Sequence, residues 1–359
     1  MEAQKKRLSK GAVISVSVVF AVLLIAFLFL FVTPFFFRAK AETISGSENW
    51  MKNLPDDLLI SDINLPGSHN SGTNAVQMAF FAKCQSRTVY SQLTDGIRFL
   101  DIRLCLETNK KNRAASLKLM HSVASCKKDS GLIAKDLYLE DVLDQCYSFL
   151  RANPTETIVF SVKKEYGDSP VAEFQQVLDD TIRKNEDKWL FTNRIPALSQ
   201  ARGKLILLRR YNDDANLSIR AGFPFLWTNQ NGYELPELNT VRRDNGTYTL
   251  WVQDRYEYNS GNKWQAFLAG SFLEGRDAPQ NCILLNYLST KGELPLGCPY
   301  FFARTLNKKL MNYDFSVDAE NPLRLGWIIL DFCTPQLAEK IYSTNFLLSE
   351  PPETDIAAL

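Results

Sequence analysis

Residues 11–37 (GAVISVSVVFAVLLIAFLFLFVTPFFF) contain no charged side chain. About 20 apolar residues in a helix are enough to cross the hydrocarbon core of a bilayer. This segment therefore predicts one membrane-spanning helix, here called the signal anchor. Cytoplasmic flanks carry an excess of Lys and Arg, which predicts a cytoplasmic N-terminus and an extracellular or luminal remainder. The flanking cations are Lys5, Lys6, Arg7 and Lys10 before the segment, against Arg38 and Lys40 after it.

A cleaved signal peptide is the alternative, because Ala39-Lys40-Ala41 follows the A-x-A pattern of a cleavage site. Signal-peptide apolar regions are shorter, about 7–15 residues, so we favour an uncleaved, single-pass anchor over secretion after cleavage. The predicted organisation is a basic cytoplasmic tail (1–10), the signal anchor (11–37), one catalytic domain (45–347) and a disordered tail (348–359).

The charge balance restricts the class of partner. Lys and Arg number 41 and Asp and Glu number 40, whereas a nucleic-acid binder needs a basic stripe. Nucleic acid is therefore excluded as an expected partner. A hydrophobic fraction of 45% is enough for a sizeable globular core.

After the anchor, short apolar runs alternate with segments of helical spacing. Such alternation is typical of a (β/α)8 barrel of the TIM type. The predicted helices are 139–152, 171–184, 262–274, 303–312 and 335–347. The predicted strands are 58–68, 97–106, 116–122, 156–166, 204–211, 248–256, 281–289 and 325–333.

Two crossovers depart from the ideal pattern. We find no helical spacing between the second and third strands or over 212–247, so we expect a distorted barrel that need not be fully closed. The aromatic residues Phe223, Phe225, Trp227 and Trp251 are interpreted as core residues in preference to a lip that dips into lipid.

The chain has seven Cys, and an exoplasmic location favours disulfides. Cys105 and Cys126, which flank a lysine-rich excursion, are the preferred pair. Buried free thiols are the equally weighted alternative, because spacing alone does not fix connectivity.

Polar residues gather at the carboxyl ends of the predicted strands, where barrel enzymes build their active sites. The only two histidines, His69 and His121, both fall there, with Arg103 between them in sequence. Paired imidazoles suit general acid–base catalysis near neutral pH, and a guanidinium suits phosphoryl oxygens. For the charged residues at other strand ends, a structural ion-pair layer is the competing interpretation.

Several segments together resemble one known family. They are 63–73 (INLPGSHNSGT), 95–103 (DGIRFLDIR), Met120-His121, 153–158 (NPTETI), 161–166 (SVKKEY), Gly203-Lys204, 209–211 (RRY), 252–256 (VQDRY) and 326–331 (GWIILD). The chain is similar, through most of 50–345, to the X domain of phosphatidylinositol-specific phospholipases C. Within that family of phospholipase-like phosphodiesterases it most resembles the bacterial metal-independent enzymes.

The resemblance implies a distorted TIM-type barrel that cleaves phosphatidylinositol, or a GPI-type lipid, between phosphate and diacylglycerol. It implies that His69 is the general base, oriented by Asp331, and that His121 protonates the leaving group. Arg103 would hold a phosphate oxygen. The inositol pocket would be lined by Lys163, Glu165, Arg210, Asp254 and Tyr256. The first product would be inositol 1,2-cyclic phosphate.

No metal and no cofactor are implied, because Arg103 and Lys163 stand where calcium-dependent relatives have acidic residues. Asn70 departs from the pattern, since the metal-independent relatives usually carry Asp there. An amide lacks the charge a carboxylate would supply to His121 and Arg103, which predicts slower turnover. The alternative function is a membrane-tethered inositide- or GPI-binding module with weakened catalysis. We infer no obligate protein partner.

Overall fold

A computed structural model describes most of the chain. The described residues are 10–39, 41–108, 114–131, 133–234, 236–244, 246–293, 297–315 and 324–346. The predicted C-terminal tail (348–359), and the predicted cytoplasmic tail apart from Lys10, lie outside these residues.

The elements after the anchor alternate between strands and helices, as the sequence predicts. The strands are β1 (Leu65–Ser68), β2 (Phe99–Thr108), β3 (Ala115–His121), β4 (Ala124–Ser125), β5 (Ile158–Lys164), β6 (Trp189–Leu190), β7 (Leu205–Arg209), β8 (Phe223–Pro224), β9 (Val241–Asp244), β10 (Thr249–Gln253), β11 (Cys282–Tyr287) and β12 (Trp327–Leu330). The α-helices are α1 (Lys10–Phe27), α2 (Ala79–Ala82), α3 (Val89–Thr94), α4 (Leu139–Ala152), α5 (Val171–Arg183), α6 (Leu198–Ala201), α7 (Ser260–Leu268), α8 (Pro299–Asn312) and α9 (Pro335–Tyr342).

Five helices confirm the predicted helical spacing. The apolar stripe of α4 is buried along its length, at Leu139, Val142, Leu143, Cys146, Phe149 and Leu150. The segment predicted as 262–274 is α7 followed by a π-helical turn, Ala269–Leu273. The segment predicted as 335–347 is α9 followed by a 3-10 turn, Ser343–Phe346.

A parallel sheet forms the centre of the domain. Its order is β6-β7-β5-β2-β1-β12-β11-β10, with β9 added at the end and β8 pairing with β7. The central strands are buried at nearly every position, for example Ile158, Val159 and Phe160 of β5. Parallel strands that are covered on both faces have this continuous apolar pattern.

Two predicted strands need correction. The run 116–122 is not a barrel strand, because β3 pairs antiparallel with β2 and returns as a hairpin. The run 58–68 becomes a strand only at Leu65, since Ile60–Asp62 is a 3-10 turn. Over 212–247 the described residues contain no α-helix, which agrees with the irregular crossover predicted there.

Closure of the barrel is not seen in the described residues. The gap in the barrel lies between β8 and β10. The outer edge of β10 is occupied by the antiparallel β9, and β8 is only two residues long, so the hydrogen-bonded ladder ends at β9 on one side of the gap and at β8 on the other. Side-chain hydrogen bonds cross this gap instead: Gln230 donates to the carbonyl of Val252 over 2.7 Å, and the Tyr248 hydroxyl donates to the carbonyl of Pro224. The fold is therefore an incompletely laddered TIM-type α/β architecture.

The apolar N-terminal segment is helical. After α1, the chain continues through a π-helical turn, Leu28–Val32, and a 3-10 turn, Thr33–Phe36. Residues Ser17–Phe36 have a mean hydropathy of 2.9 and only 6% of this stretch is buried in the protein. Its length and composition fit either a membrane anchor or a signal sequence.

All seven Cys are buried free thiols, so the predicted Cys105–Cys126 disulfide is wrong. Strand order explains why. Cys105 lies on β2 opposite Lys118 of β3, whereas Cys126 pairs with Leu119 across the other edge of β3. Two inter-strand spacings amount to about 9.5 Å, which is too far for a disulfide, whose Cα atoms lie about 4.4–6.8 Å apart.

The aromatic residues weighed as a lipid-facing lip are mainly core residues. Phe223, Phe225 and Trp251 are buried, and Trp227 packs against the core from a half-buried position. This confirms the interpretation preferred from the sequence.

Candidate active site

His69 and Asp331 meet because they follow neighbouring parallel strands. Ser68 of β1 pairs in register with Leu330 of β12, so the next residue on each strand projects at the same sheet edge. The His69 Nδ1 lies 2.8 Å from Oδ1 of Asp331. Because an ionised carboxylate only accepts hydrogen bonds, Nδ1 carries the proton and the lone pair of Nε2 is the basic position.

Asn70 contacts that basic nitrogen. Its Nδ2 lies 3.0 Å from Nε2 of His69 and 3.8 Å from the Cys84 sulfur. Within the described residues no donor reaches its Oδ1, although the side chain is buried. The sequence interpretation placed residue 70 with His121 and Arg103; the structure instead places its amide against His69.

His121 lies at the end of β3 and faces His69. Its Nδ1 donates to the carbonyl of Ala82 over 2.7 Å, so its Nε2 is the position available to a substrate. The two imidazole ring centroids are 6.1 Å apart. Burial, together with the charge of Arg103, lowers the pKa of His121 to about 4. Its ring is therefore neutral near pH 7 when no anion is present.

Arg103 is held in place by carboxylates. Its Nε and Nη2 donate to Oδ2 of Asp101 over 3.2 and 3.0 Å, and its Nη1 lies 3.6 Å from Glu165. Burial disfavours the charge, but the two carboxylates outweigh it and raise the pKa of Arg103 above its usual value. The guanidinium is therefore permanently charged and fixed in orientation.

Lys163 and Glu165 extend this network from β5, whose Lys163 pairs in register with Arg103. The Lys163 ammonium lies 2.8 Å from Glu165 Oε2, and Glu165 Oε1 accepts the backbone N–H of Ser122 over 3.1 Å. Burial would raise the pKa of Glu165, but Arg103 and Lys163 lower it to about 2. Glu165 is thus ionised and tied to the loop after His121.

Arg210 follows β7 and reaches the same centre. Its Nη1 lies 3.4 Å from Asp101 Oδ1 and 3.3 Å from the hydroxyl of Tyr287. Its guanidinium also stacks over the Trp227 ring at 3.7 Å from the centroid. Such stacking orients a cation without neutralising it.

Asp254 and Tyr256 lie in the loop after β10. Asp254 accepts the indole N–H of Trp227 over 3.2 Å, which connects it to Arg210. No side-chain hydrogen bond or ring contact in the described part of the chain links Tyr256 to the other predicted residues; its backbone carbonyl accepts from Thr290 and Lys291. The structure thus brings nine of the ten predicted residues into one contact network and leaves Tyr256 beside it.

Three further residues belong to this network but are not among the predicted site residues. Asp101 binds both Arg103 and Arg210; although burial opposes ionisation, the two guanidinium groups lower its pKa below the usual range. Tyr287 packs edge-on against His69 at 6.0 Å. The third is Trp227. Two-residue alternation along β2 placed Asp101 on the face of Arg103, a signal that was available in the sequence.

The two histidines and the aspartate that orients His69 are each followed by a residue in the left-handed backbone region. The φ angles are +46° at Asn70, +52° at Ser122 and +48° at Phe332. For a bulky residue this conformation costs on the order of 1–3 kcal/mol, and such costs concentrate at functional sites. The sharp turns aim His69, His121 and Asp331 inward at the strand ends.

One group of potential metal ligands overlaps the site. Donor atoms of His69, Cys84 and Asp331 lie within 4.8 Å of one another. Burial raises the pKa of the Cys84 thiol well above its usual value, so the sulfur keeps its proton. His69 Nδ1 and Asp331 are already bonded to each other, and thiolate is the form that binds metals. This donor set fits a hydrogen-bonded cluster better than a metal centre.

Comparison with known proteins shows what this chain is similar to. Residues 64–211 match the family model described as phosphatidylinositol-specific phospholipase C, X domain. A 1-phosphatidylinositol phosphodiesterase of Staphylococcus aureus is 28% identical over 308 residues, covering 81% of this chain and 90% of that protein. The enzyme of the same name from Listeria monocytogenes is 25% identical over 316 residues, covering 83% and 85%.

Solved structures show the same fold. A structure of the S. aureus phosphatidylinositol-specific phospholipase C superposes with a TM-score of 0.65 at 25% identity, covering 83% of this chain and 97% of that one. The Listeria enzyme gives a TM-score of 0.61 at 22% identity, covering 83% and 98%. Residues 64–211 therefore match the X domain of phosphatidylinositol-specific phospholipases C, and the chain is homologous to the bacterial 1-phosphatidylinositol phosphodiesterases.

Proposed function

We propose that the protein is a membrane-anchored phosphatidylinositol phosphodiesterase that releases diacylglycerol and inositol 1,2-cyclic phosphate. The observation that carries the proposal is the pair of imidazole rings, 6.1 Å apart between centroids, with Arg103 fixed beside them. A tetrahedral phosphorus between two such rings has a base on one side and an acid on the other. The names of the homologous enzymes support cleavage of a phosphodiester of phosphatidylinositol.

In the first step, Nε2 of His69 takes the proton of the inositol 2-hydroxyl. The freed oxygen bonds to phosphorus, and the bond from phosphorus to the diacylglycerol oxygen breaks. Asp331 stabilises the imidazolium that forms, through the 2.8 Å bond to Nδ1. Because the attacking hydroxyl belongs to the substrate itself, no bimolecular encounter with water is needed.

His121 donates the proton that the departing diacylglycerol oxygen requires. Its low pKa in the free protein reflects burial first and then the neighbouring charge of Arg103. A bound phosphodiester adds a negative charge next to the ring, which favours the protonated form. Substrate binding therefore prepares His121 as the general acid, while Arg103 stabilises the charge that develops on phosphate.

The inositol ring is proposed to lie against Lys163, Glu165, Arg210 and Asp254, with Tyr256 closing the pocket. Charged donors and acceptors are well suited to sugar hydroxyls, and an aromatic ring stacks on the apolar face of the ring. Either phosphatidylinositol or a GPI-type lipid presents this headgroup, so both are proposed substrates.

No metal is proposed. Arg103 and Lys163 supply positive charge where a cation would otherwise act, and they would repel a divalent ion. The anchor is proposed to be an uncleaved single-pass helix with a cytoplasmic N-terminus and an extracellular or luminal catalytic domain (45–347).

The test uses the full chain in mixed micelles of detergent and phosphatidylinositol, with and without EDTA. We expect equal release of inositol 1,2-cyclic phosphate in both. Loss of product in EDTA would contradict metal independence. Binding of the headgroup without product in either condition would favour the alternative function, a membrane-tethered binding module with weakened catalysis. The observation that favours this alternative is Asn70, which stands where the metal-independent relatives usually carry Asp.

A further inference from the structure

We propose that the exoplasmic end of the anchor is a positioning element of the active site, acting through the side chain of Phe37. This inference builds on the proposed function. In it, the anchor does more than tether: it braces the two segments that hold His121 and Asp331.

The side chain of Phe37 is docked in the catalytic domain, whereas those of Phe35 and Phe36 are exposed. Its side chain is 3% exposed, against 52% for Phe35 and 74% for Phe36. Its ring stacks on Tyr300 of α8 with 4.4 Å between centroids and lies 5.9 Å from Phe80 of α2. The chain leaves the membrane span at Phe36, so the next residue enters the core.

The first connection runs to His121. Phe80 packs between Phe37 and Phe29. The ring centroids of Phe80 and Phe29 are 4.9 Å apart. The same short helix ends at Ala82, whose carbonyl accepts the Nδ1–H of His121. Since α2 has only four residues, its position depends on packing. The rings of the anchor supply that packing.

The second connection runs to Asp331. Tyr300 contacts Phe332 edge-on at 5.0 Å, and its hydroxyl donates to the carbonyl of Arg38 over 3.3 Å. Phe332 directly follows Asp331 and has a positive φ of 48°, a conformation that persists only when its surroundings enforce it. Phe37, Phe80 and Phe332 belong to one apolar cluster.

Cleavage at Ala39-Lys40-Ala41 would remove Phe37 and leave Phe80, Tyr300 and Phe332 uncovered. The docked residue therefore favours retention of the anchor. It also holds the active site close to the membrane that carries the anchor, so the substrate lipid belongs to the exoplasmic leaflet of that same membrane.

The experiment compares Phe37→Ala with the adjacent Phe36→Ala in the full chain. The substrate is a short-chain phosphatidylinositol used as a water-soluble monomer; it needs no membrane, and its glycerol leaving group requires the proton that His121 donates. We expect Phe37→Ala to lower kcat at least tenfold with little change in KM, and Phe36→Ala to stay within twofold of wild type. Phe37→Leu, which refills the apolar site, should recover most of the loss.

A second readout is independent of turnover. Hydrogen exchange of 79–84 and 331–334 should be faster in Phe37→Ala than in Phe36→Ala. Equal exchange and equal kcat in the two variants would overturn the inference. An inactive wild type would count against the proposed function alone, because the exchange comparison would still decide whether Phe37 braces these segments.

Discussion

Asn70 has a different partner in the structure from the one that the sequence predicted. The resemblance placed it with His121 and Arg103, but its amide contacts Nε2 of His69. Sequence adjacency could not resolve this, because the direction of the side chain depends on the left-handed turn at residue 70. The amide must yield when the substrate hydroxyl approaches that nitrogen.

Asn70→Asp separates the two interpretations. A carboxylate against His69 stabilises its protonated form, so the acidic limb of the kcat profile should move to higher pH while the basic limb stays. Asn74→Asp adds the same charge at a half-buried position four residues later and serves as control. Movement of the basic limb alone would show that residue 70 acts on His121 instead.

His121 should take up a proton when an anion binds. In the free protein burial and nearby positive charge hold its pKa at about 4, and a bound phosphodiester analogue raises it. The affinity of a non-cleavable analogue should therefore increase as pH falls from 7 toward 4. Calorimetry in buffers of different ionisation enthalpy measures the uptake. An unchanged proton count in His121→Gln would contradict this assignment.

At the scale of elements, periodicity predicted the helices well, because amphipathic stripes such as that of α4 are local properties. It failed where pairing decides the outcome. Residues 116–122 alternate like a barrel strand, but β3 forms an antiparallel hairpin on β2. Alternation along a strand does not predict which strand pairs with it. The pairing of β9 with β10, and the position of β3 between Cys105 and Cys126, depend on contacts between residues that are distant in sequence.

The hairpin predicts the state of the thiols. Since β3 separates Cys105 from Cys126, and all seven Cys are free, denatured unreduced chain should incorporate seven alkyl groups. The native protein should react slowly, because every thiol is buried. Mass spectrometry counts the adducts. Uptake of five or fewer would show that a disulfide forms after all.

A buried ion pair joins the segment before β5 to the segment before β2. Arg98 Nη2 and Glu156 Oε2 are 2.8 Å apart, and both side chains are fully buried. Glu156→Gln leaves an uncompensated buried guanidinium, which should cost about 3–5 kcal/mol of unfolding free energy. Denaturant unfolding of the full chain in detergent measures this. Glu186→Gln, on the surface, should change stability by less than about 0.5 kcal/mol; equal effects would refute a structural role for the pair.

For the whole molecule, the membrane anchor and the strand-end site stay predictions, whereas the sequence correctly predicted an apolar N-terminal helix and the TIM-barrel-like α/β class, because each depends on composition or on pattern within the chain. It did not predict that Phe37 of the anchor packs on α2 and α8. That contact joins residues 263 positions apart, Phe37 and Tyr300, and only the folded chain brings them together. The end of the apolar N-terminal segment is thus packed against the domain that follows it.

The central claim is that His69 and His121 act as base and acid on one phosphorus. The most direct test measures kcat of His69→Ala and His121→Ala on phosphatidylinositol and on a nitrophenyl ester, whose leaving group departs without a proton. On the natural lipid both variants should lose about 10²–10⁴-fold. On the nitrophenyl ester His121→Ala should recover to near wild type, whereas His69→Ala should not. Equal recovery of both variants, or of neither, would contradict the assignment.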